Sequence, residues 1–244
     1  MRGNFMENAN SKWKDLYKIG GIAAILAALL LLIEIIVFTL WPQPATVMGY
    51  FTLLQNNRII GLIDFYLLEV IAYILFIPLF LALYAALRRF NESYMIIAIS
   101  LAMLGIAVFL ATNNSFNMLS LSNQYMAATT EAQKSMILAA GQTILVNTGQ
   151  RAVGGFNMGF LLISIAGIIV SAVMLRRDNF GKKTAYVGIL AFAISLVDYF
   201  RVIFLPTEVI LILVIAVLSG ILLLIWLILI GRRLFQISGE ISTK

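Results

Sequence analysis

Asp64 and Glu69 lie five residues apart in GLIDFYLLEVIAYILFIPLF, residues 61–80, a run apolar and long enough to cross a bilayer. Glu34, Asp198 and Asn157 also fall inside long apolar segments, and Asn113 falls near the end of another. A charge at the centre of a bilayer costs at least about 2.5–3.5 kcal/mol, so such residues face partners, one another or water rather than lipid. Buried carboxyl groups take up protons or pair with cations, and amides add neutral hydrogen bonds. These residue types therefore offer proton or cation binding, with Glu34, Asp64 and Glu69 as ligands and Asn113 and Asn157 as neutral contacts. The same residues also serve a purely structural polar network that holds helices together.

Other chemistry is narrowed by what the sequence omits. It contains no histidine and no cysteine, so the usual zinc hydrolase, serine–histidine protease and thiol enzyme cannot be assembled, and no metal ligand set is expected. An aspartyl dyad of Asp64 and Asp198 is a third reading, since two carboxyl groups can share a proton. The stretch Gly61–Asp64, GLID, lacks the second glycine of the GxGD pattern of intramembrane aspartyl proteases. No glycine-rich nucleotide loop appears, no cofactor is called for, and an enzyme is not expected.

The elements that position these residues follow from composition. The chain has 244 residues, is 62% hydrophobic and 11% charged, and its mean hydropathy is +1.00. A water-soluble fold of this length needs far more charge to cover itself. The expected fold is all-α, an integral membrane bundle, because a helix satisfies its own backbone in lipid. Six spans are drawn at about 19–41, 59–87, 94–118, 153–175, 184–205 and 209–230. Residues 1–18 form a basic leader and residues 231–244 a tail.

Basic residues set the expected orientation. Of 17 Lys and Arg, only Arg58, Lys134, Arg151 and Arg201 fall on the side away from the termini. The positive-inside rule then places both termini in the cytoplasm. The net charge of +6 is thus topogenic, and no nucleic-acid partner is implied; the partner is the lipid bilayer. The longest connection, residues 120–152, lies on the outer side. In it Thr130 and Gln133 are spaced for a capping box, and Met136, Ile137, Ala140, Ile144 and Leu145 follow at helical spacing. An amphipathic helix at the outer interface is predicted.

With these spans, depth can be counted along each helix. Glu34 falls about 10 Å below the outer boundary, Asp64 about 8 Å and Glu69 about 15 Å, near the midplane. Asn157 falls about 6–9 Å deep and Asp198 about 10 Å. Asn113, Asn114 and Asn117 crowd the outer end of the third span. Asp198 and Arg201, three residues apart, are neighbours on one helical face, with Glu208 across a tight turn; the three are read as an ion pair. The polar residues thus gather in the outer half, which predicts an acidic pocket there. Small residues, among them Gly155, Gly159, Ala166, Gly167 and Ser171, are expected at helix contacts. Pro78 is expected to kink the second span, and the last span, apolar all round, is read as a lipid-facing edge.

The stretch PLFLALYAALRRFNESYMIIAISLAMLGIAV, from Pro78 onward, resembles a prokaryotic family of six-pass membrane proteins known as domain of unknown function 4386. The segment YKIGGIAAILAALLLLIEIIVF is similar too. The resemblance implies a six-helix membrane bundle and assigns no catalytic residue. Two functions stay open: binding or transport of a small solute or cation through the acidic pocket, and a non-catalytic scaffold or lipid-interacting subunit.

Overall fold

The computed structural model describes residues 13–41, 43–147, 158–176, 180–204 and 209–242. Asn157, Gly155, Arg151 and Glu208 lie outside the described residues, as does the side chain of Arg201, and with them the expected Asp198–Arg201–Glu208 group. All regular structure among the described residues is helical. In chain order the helices are α1 (Lys14–Leu40), α2 (Val47–Asn56), α3 (Arg58–Asp64), α4 (Leu67–Leu87), α5 (Glu92–Thr112), α6 (Ser115–Ala127), α7 (Glu131–Asn147), α8 (Met158–Leu175), α9 (Lys182–Phe204) and α10 (Val209–Ser242).

Six of these form a ring. Helix α1 packs on α4, α4 on α5, α5 on α8, α8 on α9, α9 on α10, and α10 closes back onto α1. The helices are sorted by side-chain size more than by polarity. On α1, Gly20, Gly21, Ala23, Ala24, Ala27 and Ala28 are buried, while Ile19, Ile22, Leu26, Leu29 and Ile36 are exposed. When lipid is as apolar as leucine, helices gain most by bringing backbones close through small residues. A Cβ on Gly20 would lie 2.4 Å from the Ala82 Cβ of α4, and one on Gly105 of α5 would lie 2.6 Å from the Gly159 carbonyl oxygen of α8. Gly159, Ala166, Gly167 and Ser171 are all buried, as expected of contact residues.

Five stretches among the described residues are long and apolar enough to cross a membrane: Lys14–Leu40, Leu67–Leu87, Glu92–Ala127, Met158–Leu175 and Val217–Glu240. Helix α9 is not among these five. Pro78 sits inside α4 without ending it. Helix α10 buries Trp226, Leu227, Ile230 and Leu234 against its neighbours and exposes Val217, Leu218, Ile221 and Ile228. It is an edge on one side only. It also runs on to Ser242, so the segment expected as a tail from residue 231 is mostly helix. Arg233 bonds Glu240 at 2.9 Å and Gln236 at 3.2 Å along this extension, and the Ser238 hydroxyl donates to the Lys14 carbonyl at 3.3 Å.

At this end of the ring arginines rest on aromatic faces. The Arg88 guanidinium lies 5.1 Å from the Trp13 ring and 5.8 Å from the Tyr84 ring, and that of Arg176 lies 5.5 Å from Tyr94.

Over the other end lies a cap of short helices, α2, α3, α6 and α7, with its own core of Val47, Tyr50, Phe51, Leu54, Phe65, Met118 and Leu145. Three of its four helices, α2, α3 and α7, are capped by side chains. Thr46 accepts from the Gly49 N–H and Asn57 from the Ile60 N–H, each at 3.1 Å. The capping box of α7 is formed: the Gln133 N–H donates to the Thr130 hydroxyl at 3.2 Å, and the Thr130 N–H to the Gln133 side chain at 3.3 Å. The buried stripe of α7 is rotated from the predicted one. Ile137, Leu138, Ile144 and Leu145 pack on the cap core, whereas Ala140 is exposed and Met136 is 73% exposed. Gly141, set against Val47, marks the centre of the contact face.

Candidate functional site

The segment read as one span, 59–87, is two helices. Helix α3 ends at Asp64, and α4 starts at Leu67 after Tyr66, which has φ 68°. That left-handed backbone costs a non-glycine residue roughly 1–2 kcal/mol, so the break has to be held by its surroundings. Phe65 anchors it in the cap core, edge-on to Tyr50 with ring centroids 5.1 Å apart. A helix end leaves carbonyls without partners, and here distant side chains supply them. The Gln43 amide donates to the Asp64 carbonyl at 2.8 Å, and the Ser115 hydroxyl donates to the Phe65 carbonyl. Neither Gln43 nor Ser115 stands out in the sequence as a site residue.

This break relocates two of the predicted acids. Glu69 stands in the first turn of α4, at the end of the ring helix rather than near its midpoint. Asp64 stands in the cap, as the last residue of α3. It is fully buried, and neither of its carboxyl oxygens has a hydrogen-bond partner among the described residues. Burial pushes the Asp64 carboxyl up to about 6. The Tyr50 hydroxyl is raised above its usual value by burial, and then by Tyr66 and Asp64 nearby.

Glu34 and Glu69 come together. Glu34 is buried on α1, one and a half turns before its end, and its carboxyl group is hydrogen-bonded to that of Glu69 on the neighbouring α4. A hydrogen bond between two carboxyl groups requires a proton on one of them. The remaining oxygens, Glu34 Oε1 and Glu69 Oε2, are buried without a partner among the described residues. One turn further along α4, Tyr73 stacks on Phe109 of α5 at 3.7 Å. The pair thus sits between the cap and an aromatic floor.

The remaining candidates are not drawn into this pair. Asn113 is the C-cap of α5, and its side-chain oxygen accepts the Ser115 N–H at 3.0 Å. Asn114 donates to the Thr112 carbonyl at 2.9 Å and accepts from the Asn117 amide at 2.8 Å. These asparagines turn the chain from α5 into α6. Asp198 is half-buried on α9, with an interaction of its own. Helix α9 packs between α8 and α10, whereas α3 packs on α1, α2, α4 and α6. With both Asp64 oxygens unbonded, the Asp64–Asp198 dyad is not formed. No group of three or more acids among the described residues is placed to hold a metal ion. Among the described residues, the acids read from depth as one cluster are a carboxyl pair, a separate buried Asp64 and a half-buried Asp198 on another side of the ring.

Taken together, an all-helical ring with several bilayer-length apolar helices defines a multi-pass membrane protein. The chain belongs to the family described as domain of unknown function DUF4386, which matches residues 55–231. Asp64 and Glu69 fall inside the matched region, while Glu34 and the first helix precede it. No curated protein and no solved structure matches the chain.

Proposed function

We propose that the chain is a six-span protein of the cell membrane, with α9 as the sixth crossing helix, both termini cytoplasmic and the cap outside. In it the Glu34–Glu69 pair carries an exchangeable proton that drives binding or transport of a small solute or cation. The orientation is supported by Lys14, Lys18, Arg88, Arg89, Arg176, Arg232 and Arg233, which gather at the ring end away from the cap. The function rests on one observation: two carboxyl groups from different helices bond each other, while one buried oxygen of each has no partner among the described residues. Intramembrane carboxyl groups of this kind mark proton and ion pathways.

The experiment is reconstitution in liposomes holding a pH-sensitive dye, with a potassium-diffusion potential imposed across the membrane. Wild type is expected to pass protons, alone or with sodium present, and Glu34→Gln and Glu69→Gln to abolish the flux while remaining folded. Absence of flux from the wild type under both conditions overturns the reading. The second reading, a scaffold, is favoured by the way the Glu34–Glu69 bond ties α1 to α4 and the asparagines serve only turns. It predicts no flux and a loss of thermal stability on breaking the pair.

A further inference from the structure

Asp64 is not explained by the carboxyl pair. It sits at the seam where the cap meets the ring, in a helix that packs on α1, α2, α4 and α6. From α2 it is faced by Tyr50, and Tyr66 follows it in the break. Helices α1 and α4 bring Glu34 and Glu69, whose carboxyl groups are engaged with each other. Helix α6 carries no charged residue, only Tyr125, which stands against Phe51. Arg58, at the opposite end of α3, is exposed and nearly two turns away. The seam therefore offers Asp64 phenols and other acids and no cation among the described residues. A buried, unpaired carboxylate is strongly disfavoured, and at a helix C-terminus the backbone dipole opposes its charge as well. The neutral acid avoids both costs.

The same seam is where the chain can hinge. The connection runs through the left-handed Tyr66 and is fastened by two side-chain bonds to backbone carbonyls, from Gln43 and Ser115. Both of these bonds join neutral groups, so neither responds to pH. We propose that Asp64 is a second proton-binding site, separate from the Glu34–Glu69 pair, whose protonation holds the cap down on the ring and whose ionisation loosens it. The sign follows from linkage. The docked carboxyl titrates near 6 and the undocked, hydrated one near 3.8, so docking is fully stabilised below the lower value and loses that stabilisation as pH rises through the higher one. The cap closes in acid and loosens toward neutral pH.

The chain has no cysteine, so Ser115→Cys places a single thiol in the buried seam. Its labelling by a thiol reagent reads seam opening. Dividing its rate by that of the Ser115→Cys, Asp64→Asn protein at each pH cancels the thiol's own titration. The ratio is expected to rise about 10-fold between roughly pH 5 and pH 8, since a tenfold change follows each pH unit between the two titrations. A ratio independent of pH overturns the proposal. If Asp64→Asn fails to fold, amide exchange of the wild type replaces it, comparing Val47–Asn56 and Ser115–Ala127 with Met158–Leu175. Protection of the first two must fall with pH relative to the third, after correction for intrinsic exchange; parallel behaviour is equally decisive against the idea. Neither measurement depends on proton flux through the ring.

Discussion

Glu34 and Glu69 are tolerated between α1 and α4 because their carboxyl groups bond each other. Removing one of them leaves a carboxyl group without that partner, which costs about 1–3 kcal/mol. Glu34→Leu and Glu69→Leu are therefore each expected to lower stability by that amount, read from thermal unfolding in detergent. The double leucine variant is expected to recover most of the loss, because replacing both partners with apolar groups removes the unmet bond altogether. Additive losses would mean that the two side chains do not interact. Glu34→Gln keeps a donor for its neighbour and is expected to fold like the wild type. The presence of acids at these positions was legible in the sequence, but their pairing was not. Counting rise from residue 59 set Glu69 five residues beyond Asp64 on one helix, with both measured from the same boundary. The count failed because the helix breaks at Phe65 and Tyr66, a break that carries neither glycine nor proline to announce it.

At the scale of elements, the end of α3 is held from far along the chain. The partners that hold the end of α3, Gln43 and Ser115, lie 21 and 50 residues from the groups they bond, and no local pattern reveals them. Ser115→Ala removes the donor to the Phe65 carbonyl and is expected to cost about 0.5–1.5 kcal/mol. The loss should appear as faster amide exchange in α3 and α6 and leave α8 unchanged; equal change in all three would place the bond's effect elsewhere. Where the signal is local, the reading was sound. Thr130 and Gln133 predicted the start of α7, because a capping box needs only residues three apart. The stripe of α7 was set one step off because Met136 is apolar yet exposed, and helical spacing alone does not choose between overlapping faces. Helix α10 outran its expected end for a related reason. Arg232 and Arg233 close the apolar stretch, but arginine, glutamine and glutamate are good helix formers, and the backbone continues through them.

At the scale of the molecule, the ring is closed by close approach rather than by apolar burial, since its outer face is as apolar as its interior. That distinction can be tested with two glycines of the same helical class. A methyl group on Gly105 would meet the Gly159 carbonyl oxygen at 2.6 Å and Leu162 at 3.1 Å, whereas one on Gly220 has open space around it. Were the ring held only by the apolar character of its helices, alanine would help at both positions, by roughly 0.5–1 kcal/mol, through its better helix propensity. With backbone approach as the cause, Gly220→Ala keeps that gain. Gly105→Ala instead forces α5 away from α8 and is expected to cost about 1–3 kcal/mol, as overpacking of a close contact does. Opposite signs in the melting temperatures of the two variants, measured in one detergent, are the expected result. A gain at both positions would show that the α5–α8 contact is not needed to close the ring. The cap would then have to hold these helices together from their ends.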